Sequence, residues 1–145
     1  MGFFTVFPLM IIPVVIYNLL AVTGSAFSTT EALRMRLDTD FLAVPMANDA
    51  VWNITPGHAL IAGALLALFF ELIKSTSTGR AAVMNHAFSL ILFIICLVEF
   101  LMLPAFATSV FFLIMLMSLL DVMAGFMVTI ASARRDFAVG DGYSD

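Results

Sequence analysis

The residues from 105 to 133 read AFATSVFFLIMLMSLLDVMAGFMVTIASA and contain one charged side chain, that of Asp121. A helix needs about 20 mainly apolar residues to cross the hydrocarbon core of a bilayer. This stretch is longer, so a tilted membrane-spanning helix is predicted. The whole chain agrees, since 63 % of its 145 residues are hydrophobic, 11 % are charged and the mean hydropathy is +1.12. We therefore expect the lipid bilayer to be its main surroundings.

Three more segments are apolar enough to span. They are residues 3–22, 57–73 and 81–103. Pro56 and Pro104 mark boundaries, because proline resists continuing a helix from its N-terminal side, whereas Pro8 and Pro13 should bend the first span. The sequence predicts an all-α membrane protein, with four transmembrane helices in an antiparallel bundle over residues 1–137 and a loose tail over 138–145.

The distribution of basic residues predicts the orientation in the membrane. Four spans place both termini and the loop near residues 75–80 on one side. The basic residues on that side are Lys74, Arg80, Arg134 and Arg135, against Arg34 and Arg36 on the other. Cytoplasmic loops carry an excess of Lys and Arg, so both termini are predicted to be cytoplasmic and the loop over 23–56 to face outward.

The outward loop carries two competing patterns. Residues 33–41, LRMRLDTDF, alternate apolar and polar side chains with the period of a strand, and residues 51–54 supply a return strand after a turn near Pro45–Asp49. Residues 28–31, STTE, have the form of a capping box that would start a helix instead. The longer alternation favours a short β-hairpin. Trp52, close to the second span, is predicted to anchor at the lipid–water interface.

Small residues recur at helical spacing in two of the predicted spans. The second span has Ala59, Gly63 and Ala67, and the fourth has Ser118, Gly125 and Thr129 on the face that carries Asp121. Membrane helices associate through close packing of small residues and through hydrogen bonds. The simplest interpretation is that both sets are helix-packing contacts.

Four ionisable residues are predicted to lie within spans, where charge is costly: Asp121, Glu99, Glu71 and His86. Glu71 and His86 should lie at similar depth near the same end of adjacent helices, so a hydrogen bond between them is expected, with Lys74 and Arg80 competing. Together the four residues form a series of titratable groups that could carry protons. The simpler interpretation is that each is neutral or hydrogen-bonded and holds the helices in register.

Several functional classes lack support in the sequence. The net charge of −4 and the scattered basic residues argue against a nucleic-acid partner. No nucleotide-binding or hydrolase motif is present, so neither an enzyme nor a cofactor is expected. His58 and His86 should begin helices at opposite ends of the bundle, so no single metal or haem could take both. Cys96 is the one cysteine.

Five short segments carry a resemblance to a known group of proteins. They are residues 69–76 (FFELIKST), 85–87 (NHA), 98–101 (VEFL), 121–126 (DVMAGF) and 133–137 (ARRDF). Together they resemble a family of small, uncharacterised, four-span bacterial inner-membrane proteins. The resemblance implies a bacterial inner membrane and the same four helices, and it supplies no activity or cofactor.

Three hypotheses of function follow. The leading one is an accessory, assembly or scaffold subunit that interacts with other subunits of a larger inner-membrane complex, partly through an outward hairpin that adds to a partner's sheet. The second is a small proton- or ion-coupled transporter or channel that uses Asp121 and Glu99. The third is binding of a quinone, a pigment or a lipid within the bundle, near His86 or Trp52.

Overall fold

The computed structural model describes residues 6–23, 29–75 and 80–140. Its helices and strands follow in this order: α1 (Ile11–Val22), α2 (Thr30–Asp38), β1 (Leu42–Pro45), β2 (Val51–Ile54), α3 (Pro56–Ser75), α4 (Arg80–Met102), a 3₁₀ helix (Pro104–Phe106) and α5 (Ser109–Gly140).

Three helices in the described part of the chain are long and apolar enough to cross a membrane. The qualifying windows are Pro56–Lys74 in α3, Ala82–Met102 in α4 and Ser109–Val128 in α5. α1 is apolar but has 12 residues, which is about 18 Å of helix against a hydrocarbon core of about 30 Å. The structure thus supports a membrane protein with extensive lipid contact, and a fourth span remains a prediction.

The first predicted span differs from a continuous helix because of its two prolines. The chain forms a turn at Leu9 and Met10, and α1 begins at Ile11, after Pro8. Pro13 is the third residue of α1, where a missing N–H breaks no helical hydrogen bond. The expected bend is therefore a turn that separates residues 6–10 from α1.

The proline boundaries of the longer helices are confirmed. α3 begins at Pro56, and the threonine before it caps the helix: Thr55 Oγ1 accepts a hydrogen bond from the His58 N–H at 3.2 Å, while His58 Nδ1 accepts one from the Thr55 N–H at 3.3 Å. α4 ends at Met102 and Pro104 begins the 3₁₀ helix. A proline at the first position of a helix loses no hydrogen bond.

The fourth predicted span starts and ends later than expected. Residues 104–106 form the 3₁₀ helix, and α5 begins only at Ser109, where Thr108 Oγ1 accepts a hydrogen bond from the Phe111 N–H at 3.2 Å. α5 then continues to Gly140, so the first residues of the predicted tail are helical, and residues 141–145 lie outside the described part.

α5 occupies the centre of the bundle, packed against both α3 and α4, with α1 on α3. The core contains Tyr17 from α1, Ala64 from α3, Cys96 from α4, and Phe111 and Ile114 from α5, all essentially buried. The outward faces of the helices are apolar. Examples on α4 are Ile91, Ile95 and Val98, each about half-exposed. Such a surface suits lipid rather than water.

The strand predicted over residues 33–41 is wrong, because residues 30–38 form helix α2. Thr29 caps it, since its Oγ1 accepts a hydrogen bond from the Ala32 N–H at 3.3 Å. Leu33 and Leu37, one turn apart, are buried, whereas Met35 between them is 74 % exposed. The competing prediction of a helix in this segment is therefore confirmed, with Thr29 as its cap, and burial of one helical face selects the helix over the strand.

A β-hairpin is nevertheless present, between α2 and α3. β1 pairs antiparallel with β2, with Leu42 opposite Ile54 and Val44 opposite Trp52. The return strand and the position of the turn are as predicted, and only the first strand lies further along the chain. Asp49 in the turn has φ of 62°, a left-handed conformation that aspartate tolerates better than most residues.

α2 lies over one end of the bundle. Thr30 Oγ1 donates a hydrogen bond to the Pro104 carbonyl at 2.5 Å, and Arg34 Nη2 donates one to the Ala107 carbonyl at 2.9 Å. These contacts place α2 beside the α4–α5 connection. We call this end of the bundle the hairpin end, and the end that carries Glu71 the Glu71 end.

Candidate functional site

Glu71 is fully buried on α3 and accepts hydrogen bonds from three directions. Its Oε2 accepts one from the Leu9 N–H at 2.7 Å, and its Oε1 accepts one from Lys74 Nζ at 2.8 Å and one from Asn85 Nδ2. Lys74 Nζ also donates to the Phe7 carbonyl at 2.8 Å. Irregular backbone within a bilayer needs such partners, so the Glu71–Lys74 pair holds the segment before α1 against α3.

The expected Glu71–His86 hydrogen bond is absent, and Asn85 takes that place. Consecutive residues of a helix differ in direction by about 100°. Asn85 consequently meets α3, and His86 packs against α5, where a Cβ on Gly125 would lie 2.2 Å from His86 Nδ1. Neither ring nitrogen of His86 has a hydrogen-bond partner among the described residues, although the side chain is buried.

Asp121 is also fully buried, on the face of α5 that meets α4. Its Oδ2 lies 2.7 Å from Ser89 Oγ, which is itself 3.1 Å from the carbonyl oxygen of Asn85. Oδ1 of Asp121 and Oδ1 of Asn85 have no hydrogen-bond partner within the described ranges. Asp121 makes no ion pair with a described residue, since the ion pair found in this part of the chain joins Lys74 to Glu71.

These side chains form one group between α3, α4 and α5, which we call the polar cluster: Glu71, Asn85, His86, Ser89 and Asp121. Three of its members, Glu71, His86 and Asp121, had been selected from the sequence as charges within spans. The partnership of Asn85 was not foreseen. The available signal was its spacing, since an amide one turn before Ser89 and five residues after the start of its helix can reach the end of the preceding helix.

Glu99 lies apart from the polar cluster. Ser89 and Glu99 are ten residues apart on α4, which is about 15 Å along the helix. Glu99 is half-buried near the hairpin end, and its Oε2 accepts a hydrogen bond from Asn18 Nδ2 of α1 at 3.3 Å. The structure therefore does not bring Glu99 together with Asp121.

The contacts of Tyr17 are a second feature that the sequence did not predict. Its hydroxyl lies 2.5 Å from Thr108 Oγ1 and donates to the Ala105 carbonyl at 3.1 Å. Its ring packs against those of Phe106 and Phe111, with centroids 5.5 and 4.7 Å away. Tyr17 thus fixes the short helix α1 to the α4–α5 connection. A lone tyrosine in an apolar run was the only sequence signal.

The two sets of small residues have different surroundings. On α5, Ser118 is buried and its Oγ donates to the Ile114 carbonyl at 3.1 Å, Gly125 meets His86, and the side chain of Thr129 lies outside the described part. On α3, Ala59 and Gly63 are exposed and Ala67 is half-buried. Gly125 of the α5 set therefore contacts a neighbouring helix, whereas the α3 set faces outward.

The α3 set lines an open groove of about 580 Å³ between α1 and α3, which we call the α1–α3 groove. Its floor is Ala59, Gly63 and Ala67. Its walls are Ile12, Pro13, Ile16, Leu20, Phe41, Pro56 and Leu60. Apart from the local backbone of α3 and the two adjacent residues, no atom lies within 4 Å of the position that a Cβ on Gly63 would take.

A second cavity, of about 550 Å³, lies at the hairpin end between α1, α2 and the 3₁₀ helix, where Asn18, Thr29 and Glu31 add polar groups to its wall. The nearby hairpin exposes Leu42, Val51 and Trp52. Trp52 is 53 % exposed on β2. The indole is thus free to contact lipid headgroups or a neighbouring protein.

Within the described residues, no group of three or more His, Cys, Asp and Glu side chains is arranged to hold a metal ion. No protein-family model, curated protein or solved structure matches this chain. The resemblance to small four-span inner-membrane proteins therefore stays a prediction. The class that the fold supports is that of a helical membrane protein with three helices of spanning length in its described part.

Proposed function

We propose that this chain is an accessory or assembly subunit of a larger complex in the bacterial inner membrane. In this arrangement the segment containing α1 provides a fourth span, both termini are cytoplasmic, and the α1–α3 groove receives a transmembrane helix of another subunit. The open groove over Ala59, Gly63 and Ala67 is the observation that supports the proposal.

The groove has the properties that a partner helix requires. Helices in lipid gain little from hydrophobic burial, so they associate where small residues allow close backbone approach. Ala59, Gly63 and Ala67 recur every fourth residue along α3, which leaves a path parallel to the helix axis. The space above Gly63 is open, so a side chain of a neighbouring helix can enter without rearrangement of α3.

The walls of the groove favour an apolar transmembrane helix as the occupant. They come from α1, from α3 and, near the hairpin end, from Phe41. The groove thus runs from the helices to the hairpin, and a partner with a span and an outward segment can contact both. Val51 and Trp52 of the hairpin are exposed as well.

A groove-filling substitution tests the proposal. Gly63→Leu places a large side chain in the groove, where its Cβ meets no side chain or neighbouring element within 4 Å. Ala87→Leu is the matched control, since Ala87 is exposed on α4. We expect both variants to fold, and only Gly63→Leu to lose the subunits that copurify after mild detergent extraction from native membranes.

Three results would contradict the proposal. The unmodified chain could migrate alone at monomer size, Gly63→Leu could retain every copurifying subunit, or the retained material could be a second copy of the chain. A tagged and an untagged copy expressed together separate the last case. Mass spectrometry of the intact extract distinguishes a bound lipid or quinone, whose loss in Gly63→Leu would assign the groove to a small apolar ligand instead.

A further inference from the structure

We propose that the polar cluster binds one exchangeable proton, which Asp121 carries on Oδ2 and whose arrival and departure turn the hydroxyl of Ser89. This inference does not depend on the α1–α3 groove, because no residue of the polar cluster lines that groove. It rests on the numbers of hydrogen-bond donors, acceptors and charges among side chains that are at least nine-tenths buried.

The hydroxyl of Ser89 has two acceptors and one proton. Its Oγ lies 3.1 Å from the carbonyl oxygen of Asn85 and 2.7 Å from Asp121 Oδ2. A hydroxyl donates one hydrogen bond. If Asp121 is protonated, its Oδ2–H donates to Ser89 Oγ and Ser89 donates to the Asn85 carbonyl, so both contacts are hydrogen bonds. If Asp121 is ionised, Ser89 donates to the carboxylate and the contact with the carbonyl is lost.

The surrounding charges leave an ionised Asp121 without compensation. Glu71 and Lys74 from α3 neutralise each other at 2.8 Å. The segment before α1 contributes backbone groups at Phe7 and Leu9, which contact Lys74 and Glu71. Among the described side chains of α4, the titratable group that packs against α5 beside this turn is His86. A buried carboxylate with one hydrogen bond is unfavourable, so Asp121 requires a proton of its own or a protonated His86 close by.

His86 provides a place for the proton to go. Both of its ring nitrogens are buried without a partner among the described residues, and the ring contacts Gly125, one turn from Asp121 on α5. In the transfer, the Asp121 Oδ2–H bond breaks and an N–H bond forms on the imidazole, giving a carboxylate and an imidazolium with no change in total charge. The imidazolium then releases its proton to solvent as the pH is raised, which leaves a carboxylate and a neutral imidazole. The Oδ1 atoms of Asn85 and Asp121 are buried acceptors without a partner among the described residues.

Infrared spectroscopy of the full chain in lipid vesicles tests the proposal directly. A protonated carboxyl group gives a C=O band separate from that of carboxylates. We expect a band that is absent in Asp121→Asn, moves to lower frequency in D₂O, and disappears reversibly as the pH is raised. Ser89→Ala should shift this band to higher frequency, because the Asp121 hydroxyl loses its acceptor.

Two further variants separate the cluster from other groups. Glu99→Gln should leave the Asp121 band unchanged, since Glu99 lies apart from the cluster, whereas His86→Gln should move the pH at which the band disappears. If Asp121→Asn does not fold, the frequency shift in Ser89→Ala and the unchanged band in Glu99→Gln still assign the proton. The folded state of each variant is checked by circular dichroism before measurement.

Four results would overturn the proposal. They are the absence of an Asp121-dependent band throughout the pH range in which the protein stays folded, a band that does not respond to pH, a band that does not respond to D₂O, and a band that sodium chloride removes but choline chloride does not at constant pH. The last would assign the cluster to a metal cation in place of a proton.

Discussion

At the level of single residues, the contact between His86 and Gly125 fixes how closely α4 and α5 approach. The imidazole occupies the space in which a side chain on Gly125 would lie, with ring atoms 2.2, 2.3 and 2.6 Å from the Cβ position. Such a distance is far below van der Waals contact, so glycine is required there for packing. Gly63 on α3 has no neighbour at the equivalent distance.

We expect Gly125→Ala and Gly63→Ala to have opposite effects on stability. The methyl group on Gly125 must displace the buried ring or the helix, which costs about 1 to 3 kcal/mol. The methyl group on Gly63 meets open space and gains helix propensity of up to about 1 kcal/mol. The measurement is the thermal unfolding midpoint of each variant in the same detergent.

The histidine ring itself provides the control for this prediction. In a His86→Ala background the space beside Gly125 is empty, so Gly125→Ala should cost much less there than in the unmodified chain. Equal costs in the two backgrounds would show that the ring does not limit the approach of α4 and α5. Two substitutions that do not interact change the free energy of unfolding additively, so a departure from additivity measures the contact between residues 86 and 125.

Among the elements, α2 shows that one short segment can match both the two-residue period of a strand and the 3.6-residue period of a helix. Leu33, Met35 and Leu37 lie on one face of a strand, but on a helix Leu33 and Leu37 share a face that Met35 does not. The structure buries the two leucines and exposes the methionine. Hydrogen bonds from Thr30 and Arg34 to the α4–α5 connection then hold that face on the bundle.

Cysteine labelling of three α2 positions tests this arrangement. We expect a water-soluble maleimide to label Met35→Cys rapidly and Leu33→Cys or Leu37→Cys much more slowly, because only residue 35 is exposed. The native Cys96 is buried and supplies a low background. Equal labelling at all three positions would indicate a strand face, or a loop that does not pack on the bundle.

The assembly of the whole molecule depends on the central position of α5 and on the attachment of a short α1. α3 and α4 both pack on α5, and α1 is attached at one end by Glu71 through the Leu9 N–H and at the other by the Tyr17 hydroxyl. α1 alone is too short to cross the hydrocarbon core. A fourth span therefore requires the residues that precede α1 as well.

Side-specific labelling with a membrane-impermeant maleimide tests the four-span arrangement. Cysteines are placed at Gly2, at Asn48 in the hairpin turn and at Ser144 in the tail. We expect labelling of Asn48→Cys in intact spheroplasts, and of Gly2→Cys and Ser144→Cys only after permeabilisation, as the basic residues predict. Labelling of Gly2→Cys from the same side as Asn48→Cys would show that α1 does not cross the membrane.

The sequence alone determined that the helices suit a lipid environment, through its apolar composition, and it determined most of the helix boundaries, through the ends of the apolar runs and the positions of the prolines. α3 and α4 begin and end within two residues of the bounds predicted from hydropathy, Pro56 and Pro104. These properties can be read from the chain because the length of an apolar run and the missing N–H of proline act locally, whatever the helices pack against.

Tertiary structure alone decided which residues meet. Whether residues 33–37 form a helix, whether Glu71 bonds Asn85 or His86, and whether a set of small residues contacts a helix or an open groove all depend on which face an element turns toward its neighbours. A rotation of one residue, about 100°, changes each answer. The linear pattern permits several such rotations, and only burial of Leu33 and Leu37 and pairing of the polar groups between α3, α4 and α5 selects among them.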